Sequence, residues 1–453
     1  MSSATITALV IFIVTYLLMF AFQKIRPYVA VAAAATFVIL GSIGIFPDFV
    51  YTPREALRQI DWNVLLMIAG TMGTVFLFIE SKMPNLLADI VVSKTGTIKW
   101  MIVALSLFAG IISAFVDNVA TVLMVAPVAM AICKKLTISP VPVIVCISVS
   151  SNLQGAATLV GDTTSILLAK AAGLDFMGFF FCDGRPGMFW VTEAGAVVSA
   201  LIILWMFRRH TGKIDISSRT QVEDKVPTVL LVLTVVTLIG VSFIPYASAA
   251  KPGQFYKPEI TNGLICMGYF LIGVVRQAIK DHSLSVVKEA LREIDYYTLV
   301  LLAGLFIVIG GITEVGVIDK IGAFLANLGG DGSRSSVFLI YTVIVWASVL
   351  LSAFIDNIPY TATMLPVVAV LAERLSAAGG VAVDPRLFYF GLLVGATLGG
   401  NLTPIGASAN IAGLGILRRE GYEVRSGEFM KYGVPFTLSA VITGYLLVWL
   451  IWA

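Results

Sequence analysis

Ser113-Ala114-Phe115-Val116-Asp117-Asn118, with Pro127 beyond it, returns later in the chain as Ser352-Ala353-Phe354-Ile355-Asp356-Asn357, with Pro366 beyond it. A carboxylate beside a carboxamide, set twice in apolar sequence, decides what kind of chain this is. Working outward, Asp61-Trp62-Asn63-Val64-Leu65-Leu66 with Ala69-Gly70 and Glu80 recurs as Asp295-Tyr296-Tyr297-Thr298-Leu299-Val300 with Ala303-Gly304 and Glu314. Thr158, Gly161 and Ile166 recur as Thr403, Gly406 and Ile411. Three motifs in one order, at nearly constant offset, establish an internal duplication.

The medium of the chain follows from composition. Of 453 residues 58% are hydrophobic and 13% charged, whereas a soluble domain carries about a quarter charged residues. Apolar runs near the length needed to cross a bilayer, roughly 17 to 25 residues, recur from residues 4–22 to 434–452, about ten crossings in all. The first run lacks a basic flank and a cleavage pattern, so it reads as a retained helix. The small net charge of +3, spread over loops, excludes a nucleic-acid partner. Cys133, Cys146, Cys182 and Cys266 stand far apart, which argues against a metal site or a disulfide framework.

Loop charge orients the chain. Lys24, Arg26 and the loops at 82–99, 134–135, 208–225, 276–292 and 418–431 hold more than twice the Lys and Arg of the opposite set, which places them in the cytoplasm and both termini outside. That assignment closes only if two long stretches, about 100–132 and 336–372, enter and leave on one side as re-entrant hairpins. Non-helical backbone at that depth is tolerated where protein or a cavity surrounds it. The expected fold is therefore an all-α polytopic membrane protein of two inverted repeats, each with about five transmembrane helices. Residues 1–210 form the first repeat (hairpin about 100–132, broken helix about 140–170) and 228–453 the second (hairpin about 336–372, broken helix about 387–417). Residues 211–227, including Ser217 and Ser218, form a cytoplasmic linker. Inverted repeats are a transporter architecture.

Carboxylates at membrane depth are unfavourable by about 2.5 to 3.5 kcal/mol, so Asp117, Asp162 and Asp356 call for a reason. At hairpin tips, Asp117-Asn118 and Asp356-Asn357 offer side-chain oxygens and freed carbonyls to a desolvated cation, sodium among the candidates. The competing reading is helix capping; the two roles are compatible. The second constellation interrupts membrane helices with glycines and hydroxyls: Thr158, Gly161, Asp162 and Thr163 in one copy, Asn401, Thr403, Gly406, Ser408 and Asn410 in the other. Glycine lets the backbone leave helical geometry, and the amides of the following half-helix suit an anion or polar oxygen. Close packing through small residues accounts for the glycines but not for the Thr, Ser and Asn. Glu80 and Glu314, near segment ends, read as interfacial, and Pro127 and Pro366 as kinks. Stretches at 85–93 and 318–328 suit short interfacial helices.

These motifs resemble the ion transporter superfamily, which includes arsenite permeases, D-type sodium/proton antiporters, the melanosomal P protein and the dicarboxylate and citrate carriers. The second copy, Ser352 to Met364 and Gly399 to Asn410, is most similar to the P protein branch. The resemblance covers nearly the whole chain. It implies a scaffold domain and a moving transport domain working as an elevator, in a homodimer, with the hairpin tips and helix breaks lining the site. Dicarboxylate carriers carry Ser-Asn-Thr at the tips, where this chain has Asp117-Asn118-Val119 and Asp356-Asn357-Ile358, and two extra carboxylates disfavour a dianion. The family's Gly-Asp-Pro-Pro-Asn appears as Gly161-Asp162-Thr163-Thr164-Ser165, which keeps the acid and loses the proline-fixed turn.

The expectation is a proton- or sodium-coupled carrier of a small solute, an arsenite-like hydroxide or a small carboxylate, in a bacterial inner membrane, with no cofactor beyond the coupling ion. Sodium/proton exchange alone is the rival. An intramembrane aspartyl protease also needs paired carboxylates, but it favours Gly-x-Gly-Asp where this chain has Leu159-Val160-Gly161-Asp162. A passive channel is the remaining alternative.

Overall fold

A computed structural model describes residues 2–213, 220–222, 224–247, 251, 254–328, 333–377 and 383–453. Among the described residues the regular structure is helical apart from a two-residue strand pair, Phe181–Cys182 with Arg185–Pro186. The first half runs α1 (Ser3–Ala21), α2 (Arg26–Ile43), α3 (Pro53–Gln59), α4 (Trp62–Glu80), α5 (Met83–Ser93), α6 (Ile98–Ser113), α7 (Asn118–Lys135), α8 (Val141–Gly155), α9 (Thr163–Ala172) and α10 (Met188–Met206). The second runs α11 (Val226–Val241), α12 (Thr261–Lys280), α13 (Ser285–Glu293), α14 (Tyr296–Glu314), α15 (Val317–Leu328), α16 (Arg334–Ser352), α17 (Asn357–Ala377), α18 (Pro385–Gly399), α19 (Ser408–Arg419) and α20 (Ser426–Trp452). Each half contains the same succession of long, short and interrupted helices. Within the stretch read as a linker, Ser217 and Ser218 lie outside the described residues.

The acidic residues of the repeat start helices. Asp61 accepts from the Val64 amide and Asp295 from the Thr298 amide, both at 3.0 Å, opening α4 and α14. Such a side-chain oxygen satisfies one of the amides that a helix start leaves unpaired. The short helices α5 and α15 fall where interfacial helices were expected, and Pro127 and Pro366 sit inside α7 and α17 without ending them.

Two layers follow. In one, helices of opposite halves pack on each other, α4 on α12 and α2 on α14. Small residues permit the contact: a Cβ on Gly70 would lie 2.4 Å from the Cys266–Met267 backbone. In the other, α6 packs on α8, α16 on α18 and α10 on α20, around the largest buried cluster.

Among the described residues ten helices are long and apolar enough to cross a bilayer, though the set is not the one expected. It includes the hairpin arms α7, α16 and α17, and omits α11 and both halves of each broken helix, which are individually too short. Two basic residues are engaged within the protein. Arg26, expected to mark a cytoplasmic flank, is buried, and Lys170 at the end of α9 pairs with Asp61 at 3.2 Å. The four cysteines are buried and unbridged.

Candidate functional site

Both hairpins turn inside the protein. α6 gives way at Ser113 and α7 begins at Asn118; α16 gives way at Ser352 and α17 begins at Asn357, and all four of these residues are buried. Each tip is stitched to the broken helix of its own half. The Thr158 hydroxyl donates to the Ala114 carbonyl, and the Thr403 hydroxyl donates to that of Ala353. Gly161 and Gly406 let the strands meet. A Cβ on Gly161 would stand 2.6 Å from the carbonyl oxygens of Ser113 and Gly155; one on Gly406 would stand 2.6 Å from that of Gly400 and 2.8 Å from those of Ser352 and Ala353.

A carboxamide network joins the halves. Asn118 donates to the Asn152 side-chain oxygen at 2.9 Å, and Asn152 donates to the Thr397 carbonyl at 2.7 Å and to Asn401 Oδ1 at 3.1 Å. Asn401 in turn donates to the Val149 carbonyl at 2.9 Å. Asn410 donates to the Gly400 and Thr403 carbonyls, both at 3.2 Å, and its own Oδ1 is buried without a partner among the described residues. Asn401, Thr403, Gly406 and Asn410 thus shape the second break, as Thr158 and Gly161 shape the first. Asn152, which ties the two breaks to the first tip, carries no motif signal of its own and escapes a reading of the sequence.

A cavity of about 450 Å³ lies where these parts converge. It brings together Asp117, Asn118, Asp162, Thr163, Asn357 and Ser408 of the residues expected to bind, with Glu80, Glu293 and Asp295 beside them. The first turns of α7, α9, α17 and α19 all reach it. No Lys, Arg or His lines it among the described residues. Asp117 Oδ1 accepts from the amides of Val119 and Ala120, at 3.0 and 3.2 Å, so capping and cavity lining coincide. Asp162 Oδ2 accepts from the Thr164 hydroxyl at 2.7 Å and meets Asn357 Nδ2 at 3.5 Å. Glu80, expected to be interfacial, also borders a second cavity of about 420 Å³ under the linker, so it stands between the two.

Asp356 lies elsewhere. Its Oδ1 accepts from the Ile358 amide at 3.2 Å, capping α17, while its Oδ2 receives Arg26 Nη1 at 2.9 Å. The second cavity holds one more charged cluster, where Asp224 of the linker pairs with Arg276 and, at 3.0 Å, with Lys280. Burial pushes the Asp224 carboxyl up, but hydrogen bonds from Arg276, the Val226 amide and Lys280 outweigh it and hold it at about 2.

A sequence profile described as citrate transporter matches residues 8–395. The chain is 30% identical to "Uncharacterized transporter MT2759" of Mycobacterium tuberculosis, over 98% of both chains. It is 26% identical to the P protein of Sus scrofa over 99% of its own length and 59% of that protein's. Among solved structures, the YdaH transporter of Alcanivorax borkumensis superposes with a TM-score of 0.57 at 14% identity, covering 95% of this chain and 97% of that one. MtrF of Neisseria gonorrhoeae gives 0.50 at 16% identity, covering 85% and 80%. These two likenesses show the fold.

Proposed function

The chain belongs to the citrate transporter family, and from that premise we propose that this membrane transporter is ion-coupled and exchanges a cation for protons through the acidic cavity. The observation that carries this is the lining: five carboxylates, from Glu80, Asp117, Asp162, Glu293 and Asp295, with no basic side chain among the described residues. Gathered carboxylates repel one another unless each holds a proton or they share a cation. Asp117 and Asp162 alternate between these conditions, with Asn118, Asn357 and the carbonyls of the tips as neutral ligands for sodium. The halves 1–210 and 228–453 act as inverted repeats joined by 211–227. The layer of hairpins and broken helices moves against the layer of crossed helices as an elevator, in a homodimer in the inner membrane with both termini outside.

A second reading keeps the coupling and adds a cargo, an arsenite-like hydroxide or a small carboxylate. The four helix starts at the cavity favour it, because their amides and dipoles attract anions. With Asp117 and Asp162 protonated, those starts face an anion with two of the five lining carboxylates neutralised.

Both readings are tested in proteoliposomes that hold the purified protein and a pH dye. Alkalinisation of an acid-loaded interior on external sodium, lost in the D117N variant, is the expected result. A response only to arsenite or a carboxylate would transfer the assignment to the second reading. Unitary currents in a planar bilayer would replace both with a channel.

A further inference from the structure

The internal repeat relates two sets of three acids, and two of the three related pairs are in opposite conditions. Asp117, Asp295 and Glu80 border the cavity with no basic partner among the described residues; their counterparts in the other half are Asp356, Asp61 and Glu314. Asp356 is paired with Arg26 and Asp61 with Lys170. The Arg26 contact belongs to a larger grip. Arg26 Nε also donates to the Met19 carbonyl at 3.1 Å, which fixes the guanidinium at the junction of α1 and α2. From α1, the Tyr16 hydroxyl donates to the Pro359 carbonyl at 2.8 Å and meets the Thr363 hydroxyl, both one to two turns into α17. Two residues of the first two helices, Tyr16 and Arg26, thus hold the tip and first turns of the second hairpin.

We infer that Arg26 is a tethered counter-cation that latches the second hairpin to α1 and α2, so that only the Asp117 side of the molecule is open to a mobile cation in this state. Inverted repeats alternate access by moving one part of the protein against another around the site, and in the alternation proposed here the two halves exchange arrangements. For the Asp356 side to open as the Asp117 side is open here, Arg26 must leave Asp356 and the Tyr16 contacts must part. Arg26 also decides which tip holds a mobile ion. A guanidinium is charged at any working pH and fills the carboxylate it pairs with. Arg26 is therefore a positioning residue, acting through Asp356 and not on the transported ion.

This inference rests on the proposed alternation of the two sides, and its test keeps the two apart because conformation and flux are read separately. Wild-type flux in proteoliposomes reports the transporter reading alone. For the latch, Leu123, which lines the cavity and is 48% exposed, is replaced by Cys and labelled with a membrane-impermeant maleimide in the full chain. Labelling several-fold slower in R26Q/D356N and close to its parent rate in R26K is expected, because a loosened latch no longer holds the Asp117 side open. Equal rates in all three overturn the latch. Should R26Q/D356N fail to fold, R26C/D356C bridged by a short bis-methanethiosulfonate reagent decides. Flux that stops on bridging and returns with reductant supports the latch. Flux unchanged by bridging overturns it.

Discussion

The two hairpin tips share a sequence and differ in circumstance. Asp117 and Asp356 each follow the same turn, precede an asparagine and cap the helix that begins there. Asp117 then faces a cavity of other acids, whereas Asp356 meets a buried guanidinium. The difference comes from outside the motif. Arg26 stands at the start of α2, whereas the corresponding start of α12 presents Thr261 and Asn262, so among the described residues the first tip has no such partner. Duplicated sequence therefore supplies two equivalent carboxylates, and unequal neighbours make one available and one engaged.

The largest effect expected from this contrast separates activity from stability. D117N and D162N should reduce coupled flux to background while leaving the melting temperature in detergent near the parent value, because asparagine caps α7 as well as aspartate does and at position 162, where there is no side-chain cap bond to lose, an amide oxygen can still accept from the Thr164 hydroxyl. D356N should do the reverse in its first consequence. It leaves Arg26 buried with the Met19 carbonyl but without its counter-charge, and breaking a buried pair at one end is unfavourable by about 3 to 5 kcal/mol. The R26Q/D356N double variant should melt closer to the parent than either single variant. If D117N proved as destabilising as D356N, the contrast between the tips would be lost.

Much of this architecture is legible before any coordinates. The repeated Asp-Asn pair lies in apolar stretches too long for one crossing, which is why each stretch is read as two helices, and the structure divides 98–135 and 334–377 at those pairs into α6–α7 and α16–α17. Glycine and hydroxyl runs locate both helix breaks for a similar reason, since few other roles call for that mixture at membrane depth. What escapes is pairing across the chain. Nothing around Arg26 distinguishes it from a basic flank, and its partner lies in the other half. Asn152 is one amide in an apolar helix, and its three bonds reach α7, α18 and the second break. Glu80 and Asp295 are visible as repeat markers, but their convergence on Asp117 depends on how the two layers meet.

Glu80 sharpens the contrast at smaller scale. It is exposed at the mouth between the two cavities, and its counterpart Glu314 lies at the end of α14, outside both. E80Q should raise the half-saturating sodium concentration by about fivefold or less, the equivalent of the roughly 1 kcal/mol that an exposed charge contributes. E314Q should not change it. The effect of E80Q should shrink as salt rises, because exposed charges are screened.

The smallest effect belongs to the linker, whose Asp224 is engaged as Asp356 is, but by basic partners that stand in part in solvent. D224N should lower the melting temperature modestly, by an amount corresponding to about 1 kcal/mol or less. Its pH dependence has a definite sign. The Asp224 carboxyl is held below its ordinary value, at about 2, so the stabilisation is fully present above the unfolded value of about 3.9 and fades as pH falls toward 2. The gap in melting temperature between parent and D224N should therefore be constant from pH 5 to neutrality and close in stronger acid. A gap that instead widened on acidification would mean that Arg276 and Lys280 do not hold this carboxylate in its charged form.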